Sequence, residues 1–101
     1  MIIREWRGRA NSTKAEAYPK HFREKVISEL RHVPGFVGAQ LGRRHLDDKI
    51  EFLVLTRWRS MDAIRAFAGV DVEKAVVEPG AVAALIDFDS HVRHYEVVEE
   101  A

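Results

Sequence analysis

The chemistry open to this 101-residue chain rests first on its five histidines, at positions 21, 32, 45, 91 and 94. His91 and His94 are three residues apart. On a helix that spacing puts two imidazoles on one face, where they can clamp a metal; on a strand they point to opposite sides. Residues 92–98 alternate as a strand does, and no carboxylates stand at ligand spacing nearby, so no metal is expected. Imidazole titrates near neutrality, which makes His94 the candidate general base or hydrogen-bond donor. The alternative is a partly buried structural histidine bonded to a neighbouring strand. His21 lies beside the apolar stripe of the first helix, within reach of a pocket rim, and His45, next to Arg43-Arg44, belongs to a hairpin surface. Ser12, Ser28, Ser60 and Ser90 have no His-acid setting, and the chain has no cysteine, P-loop, dinucleotide glycine fingerprint, nucleophile elbow or carboxylate dyad.

These side chains need a frame to hold them. Ile2 to Arg9 reads as a strand closed by Ala10-Asn11-Ser12. Thr13, with Glu16 three residues on, has the form of a capping box. Tyr18, Phe22, Val26, Leu30 and Val33 then recur every three or four residues, so an amphipathic helix is expected over 13–33. Pro19 either kinks its first turns or marks where the regular helix starts, and Pro34-Gly35 ends it. Phe36 to Arg43 and Ile50 to Arg59 read as strands of a hairpin around Asp47-Asp48. Ser60 caps a helix from Met61 to Ala68, which Gly69 stops. Residues 71–78 read as another helical piece stopped by Pro79-Gly80. Residues 81–89 are either a short alanine-rich helix or an irregular approach to the last strand, Val92 to Val98. The order is that of a ferredoxin-like βαββαβ protomer. It is an α+β fold with an antiparallel sheet and helices on one face, in a single domain over 1–101.

Charge and hydropathy narrow the partners. Sixteen basic residues balance sixteen acidic ones, so a polyanion held by bulk charge is not expected. Lys49 to Leu55 lacks the glycines and basic excess of an RNA-recognition strand, and nucleic acid is set aside. No stretch fits a signal peptide or a membrane span; a cytoplasmic protein with no membrane partner is expected. The third strand is apolar on both sides, with Ile50, Phe52, Val54, Thr56 and Trp58 on one row and Leu53 and Leu55 among Glu51, Arg57 and Arg59 on the other. Helices cover one row. Leaving Leu53 and Leu55 in water forgoes about 1.5–3 kcal/mol for each side chain. A homodimer, sheet against sheet, is therefore expected; the alternative is a C-terminal segment folded over that face.

Val54-Leu55-Thr56-Arg57-Trp58-Arg59-Ser60, followed by Ala63, Phe67, Ala68 and Gly69, resembles the strand-to-helix signature of the antibiotic biosynthesis monooxygenase (ABM) superfamily. Val33-Pro34-Gly35-Phe36 and His94-Tyr95-Glu96-Val97 are similar to two further stretches of that family, so the resemblance covers nearly the whole chain in order. It implies a dimeric α+β barrel. Even positions of strand one (Arg4, Trp6) and strand three (Phe52, Val54, Thr56, Trp58) would then face a cavity under the helices. Such a pocket has aromatic walls and one cation, suited to a flat or apolar anion such as a phenolate or carboxylate. In quinone-forming members a pocket Trp matches Trp58, while an Asn and a Tyr correspond to Val54 and Ile64. In heme-degrading members an Asn, a Trp and a proximal His fall on Trp6, Phe67 and Val77. An axial ligand is missing there, and heme degradation is not expected.

Two functions follow from the resemblance. The first is a monooxygenase without metal, flavin or other cofactor, acting on a small aromatic or flat metabolite. Trp58 bounds the substrate, Arg4 favours its anionic form and His94 moves a proton, with Trp6, His21, Thr56 and Phe67 as further pocket residues. The second is a non-catalytic ligand-binding or stress-associated barrel, favoured by the aliphatic residues at Val54, Ile64 and Val77.

Overall fold

The computed structural model describes residues 1–101. Charged and apolar residues alternate from the start of the chain, and β1 (Ile2–Asn11) extends through them. It pairs antiparallel with β3 (Lys49–Trp58) along its whole length, from Ile2 opposite Trp58 to Asn11 opposite Lys49. β2 (Phe36–Leu46) pairs with the other side of β3. It runs past the expected Arg43 because the hairpin closes on Asp47 and Asp48 alone, with Asp47 at φ 50°, a left-handed conformation that aspartate tolerates. On the far edge of β1, β4 (Asp87–Phe88) pairs with Gly8 and Arg9, and β5 (Arg93–Glu96) pairs with Ile2 to Glu5. The sheet order is thus β2-β3-β1, with β4 and β5 sharing the last edge. This is the predicted ferredoxin-like α+β arrangement, its final strand broken in two and its second piece shorter than Val92 to Val98.

The first helix, α1, covers 17–30 and not 13–33. Ser12–Lys14 is a separate 3₁₀ turn, and the Asn11 side chain caps it by accepting from the Thr13 amide at 3.1 Å. The Thr13–Glu16 capping box does not form. Of the two readings of Pro19, the second holds: the helix starts at Ala17, so Pro19 falls in the first turn, where its missing N–H has no partner to lose. The middle of α1, Phe22–Val26, winds as a wider π turn between α-helical Ala17–His21 and Ile27–Leu30. α2 (Met61–Ala68) is as expected, with Ser60 Oγ accepting from the Ala63 amide at 3.1 Å and Gly69 at φ 92° ending it.

Residues 71–78 correct the sequence reading. They are not helical but form a strap that opens on a turn, the Lys74 amide donating to Asp71 O at 3.1 Å, and is tied where the Val92 amide donates to Glu73 O at 2.7 Å and the Ala75 amide to Ser90 O at 2.9 Å. Pairing with the chain before β5 satisfies their backbone, so no local helix is needed. The helix lies later: α3 (Pro79–Ala84) starts at the Pro-Gly pair expected to end a helix over 71–78, since proline suits a first turn, and it takes in the first part of the alanine-rich stretch.

The even row of β3, from Ile50 to Trp58, is buried under the helices with Tyr18, Phe22, Leu30, Ile64 and Ala81. The odd row, Glu51, Leu53, Leu55 and Arg57, is half-buried on the helix-free face. After β5 the chain continues along the β1 edge, the Val97 amide donating to Met1 O at 3.0 Å, and does not fold across that face.

Candidate functional site

β1 and β3 form the floor of a cavity of about 160 Å³, roofed by α1, α2, α3 and the strap. That is room for several waters or a small ring system. Trp58 is fully buried; its indole nitrogen donates to Thr56 Oγ1 at 2.9 Å, and its ring tilts against Phe67 with centroids 5.2 Å apart. The Trp6 indole nitrogen donates to Asp89 O at 2.7 Å, and its ring packs against Tyr18. Both N–H groups are satisfied within the protein, so the rings contribute apolar wall.

Arg4 is the polar centre of the floor. It is only 6% exposed, yet no ion pair of the protein includes it. Nη1 donates to Val72 O at 2.7 Å and lies 2.9 Å from His94 Nε2, while Nη2 donates to Lys74 O at 3.2 Å. Two strap carbonyls and an imidazole thus hold a guanidinium that has no counter-charge. Burial lowers its pKa to about 10, which still leaves it cationic at neutral pH. A buried charge without a partner is costly, and an anion in the cavity would offset that cost.

His94 stands behind Arg4 and does not line the cavity. A guanidinium can only donate, so Nε2 accepts and the ring is neutral with its proton on Nδ1. Burial holds the His94 pKa below the usual histidine value, the charge of Arg4 adds to this, and Glu73 opposes it. Arg4, Trp6, His21, Thr56, Trp58 and Phe67 all do line the cavity.

The helix side holds groups that the sequence did not single out. Tyr18 and Glu29 reach the cavity from α1, and Glu78 reaches it from the end of the strap. The sequence showed no carboxylate dyad, but Glu29 and Glu78 come together here. Burial raises the Glu78 pKa, hydrogen bonding to Glu29 and its charge raise it further, and His21 and Lys25 pull it down. The Tyr18 phenol is pushed up, first by burial and then by Glu78. His21 Nε2 is fully buried and has no hydrogen-bond partner. Tyr18 was within reach of sequence reasoning, because it sits three residues before His21 on the helical stripe. Glu78 gave no local signal, since a strap of unpredicted course delivers it. Elsewhere, the His91 ring contacts Ser90 Oγ at 2.9 Å, His45 is exposed, and no group of three or more His, Asp or Glu has metal-holding geometry. No helix is long and apolar enough to cross a membrane.

Fold and site together define a ferredoxin-like α+β protein with an aromatic cavity between sheet and helices. The family model described as antibiotic biosynthesis monooxygenase matches residues 1–79, and the chain belongs to that family. Among solved structures, a monooxygenase from the gene ActVA-Orf6 of Streptomyces coelicolor, in complex with Nanaomycin D, superimposes with a TM-score of 0.71 at 15% identity, covering 99% of this chain and 89% of that one. The heme-degrader MhuD of Mycobacterium tuberculosis, with two hemes bound in its active site, gives 0.67 at 19% identity, over 100% and 99%. SnoaB of Streptomyces nogalater, a cofactor-independent oxygenase, gives 0.62 at 16% identity, over 98% and 93%. At these identities the likeness is one of fold. No curated protein sequence matches the chain.

Proposed function

We propose that the protein is a monooxygenase for a small aromatic or flat anion, working without a resident cofactor. The observation that carries this reading is Arg4, a buried cation with no carboxylate partner in a cavity walled by Trp6, Trp58 and Phe67. Arg4 holds the anionic group of the substrate, and the aromatic rings bound its plane. His94 acts as a positioning residue that holds Arg4 from behind; this replaces the general-base role expected from the sequence. In a cavity lined mostly by apolar side chains, a fixed cation favours the electron-rich phenolate over the neutral phenol. Such an anion can react with dioxygen directly. Family membership and the two oxygenases of the same fold support this assignment.

The working unit in this proposal is a two-fold homodimer joined through the helix-free sheet face. Ile3, Leu53 and Leu55 offer the apolar contact there, amid the ion pairs Arg7–Glu5 and Arg44–Glu51. Oxygen uptake in the presence of hydroxyanthrones and dihydroxynaphthalenes tests the activity. The wild type is expected to consume oxygen faster than an Arg4→Met, Trp58→Ala double variant; equal rates would sink the reading.

A second reading is favoured by the aliphatic lining at Val54 and Val77, a non-catalytic barrel that stores or senses a ligand. A compound that raises Tm and is recovered unchanged would select it.

A further inference from the structure

We infer that His21 is the group that takes a proton from the bound ligand, and that the ligand is a hydroxyaryl acid, with an acidic group for Arg4 on the floor and a hydroxyl for His21 on the facing helix. The inference rests on the cavity reading above and refines it: Arg4 holds the acid group, and the aryl oxide forms at the second polar end, beside His21.

Four observations converge on His21. Of the five histidines it alone lines the cavity. Its Nε2 is the one buried side-chain nitrogen or oxygen in the protein with no hydrogen-bond partner. A buried polar atom left unmatched costs about 1–3 kcal/mol, and folded proteins keep few of them. The ring is also held firmly. A side chain at Gly80 would put its Cβ 2.7 Å from Nδ1 and Cε1, so the glycine is what lets the start of α3 close on the imidazole. The Tyr18 ring packs against it with centroids 5.9 Å apart. Finally, the π turn begins at the next residue, Phe22; such wide turns recur at functional positions because they re-aim the side chains beside them.

Other polar groups share the His21 end of the cavity. Glu29 and Glu78 share its side of the cavity, Lys25 lies near the same pair, and Tyr18 stays a neutral phenol. With no partner in the protein, His21 Nε2 is free to meet a ligand hydroxyl. His94 offers no such opportunity, because its Nε2 lone pair faces Arg4. The step itself is a proton transfer. The ligand O–H bond breaks, an N–H bond forms at Nε2, and the electron pair stays on oxygen as an aryl oxide. No oxidant is consumed.

The test uses two probes, 6-hydroxy-2-naphthoate and its hydroxyl-free analogue 2-naphthoate, titrated against tryptophan fluorescence while the red-shifted naphtholate band is followed. With wild type at pH 7, the bound hydroxy acid is expected to show the naphtholate band. It should also bind about tenfold more tightly than 2-naphthoate, as one hydrogen bond to a charged group allows. In His21→Gln the band disappears and the preference falls to near unity. Gly80→Ala, which displaces the ring without removing it, weakens both and serves as the second variant should His21→Gln fail to fold. A naphtholate band that persists in His21→Gln overturns the inference. So does a wild-type complex in which 2-naphthoate binds but the hydroxy acid stays neutral, and that result leaves the Arg4 reading standing. Failure of both acids to bind overturns the cavity reading and this inference with it.

Discussion

Arg4 Nη1 and His94 Nε2 lie 2.9 Å apart, so a buried guanidinium donates to an imidazole that must stay unprotonated to receive it. A proton on His94 would abolish the acceptor and set two cations side by side. The His94 pKa is accordingly below its usual 6.5, by burial first and by Arg4 second, against Glu73. Below about pH 6.5 the unfolded chain therefore binds a proton at His94 before the folded one does. The His94 contribution to stability is complete above that value and declines as pH falls toward the folded-state pKa. The Tm of wild type should drop more between pH 7 and pH 5 than that of His94→Gln. Glu78, shifted upward, contributes in the opposite direction but is common to both proteins and cancels in the comparison. Parallel pH profiles would refute the account.

Arg4→Met should weaken 2-naphthoate binding by about tenfold or more, the loss expected for a charge-assisted hydrogen bond in a mostly apolar site. Arg4→Lys should fall in between, because it keeps the charge but loses the planar fork that spans Val72 O and Lys74 O. Fluorescence titration ranks the three proteins. Equal affinities would show that the cation does not face the ligand.

Phe52→Ala should destabilise the protein by about 3–5 kcal/mol. Phe52 is fully buried, with its ring 5.3 Å from that of Tyr18, at the point where floor and α1 meet. Urea unfolding measures the loss; a cost under about 1 kcal/mol would mean that the neighbouring rings collapse into the space.

Sedimentation should give the mass of two chains for the wild type and of one for a Leu53→Glu, Leu55→Glu variant, with the helical signal retained. A single-chain wild type would remove the proposed dimer.

The sequence disclosed the sheet well because strand patterning is local. The even and odd rows of β3 and the shared face of Arg4 and Trp6 follow from a period of two, and pairing along the full length of β1 preserved it. Ser60 and Gly69 likewise bound α2 through contacts within a few residues. The strap was misread because Val72, Val76 and Val77 mimic helical spacing, whereas its backbone is satisfied by residues near β5. That error hid the site chemistry. Val72 and Lys74 can serve Arg4, and Glu78 can meet Glu29, only once the strap takes its non-helical course. The contact between Arg4 and the His94 nitrogen was not legible, since nothing local in the last strand points to Arg4 as its partner.

The π turn at Phe22–Val26 has a consequence for how far relatives of this chain can vary in length. A wide turn is one residue more than the ordinary winding needs, so deleting a residue there would let the helix close to standard pitch. The α-helical segments on either side would keep their phase, because the wide turn alone absorbs the extra residue. His21 and Leu30 would keep their places, and such a relative would retain the fold, the guanidinium and the imidazole. A deletion in the regular flank between His21 and Ala17 would instead turn the residues before it by about 100°.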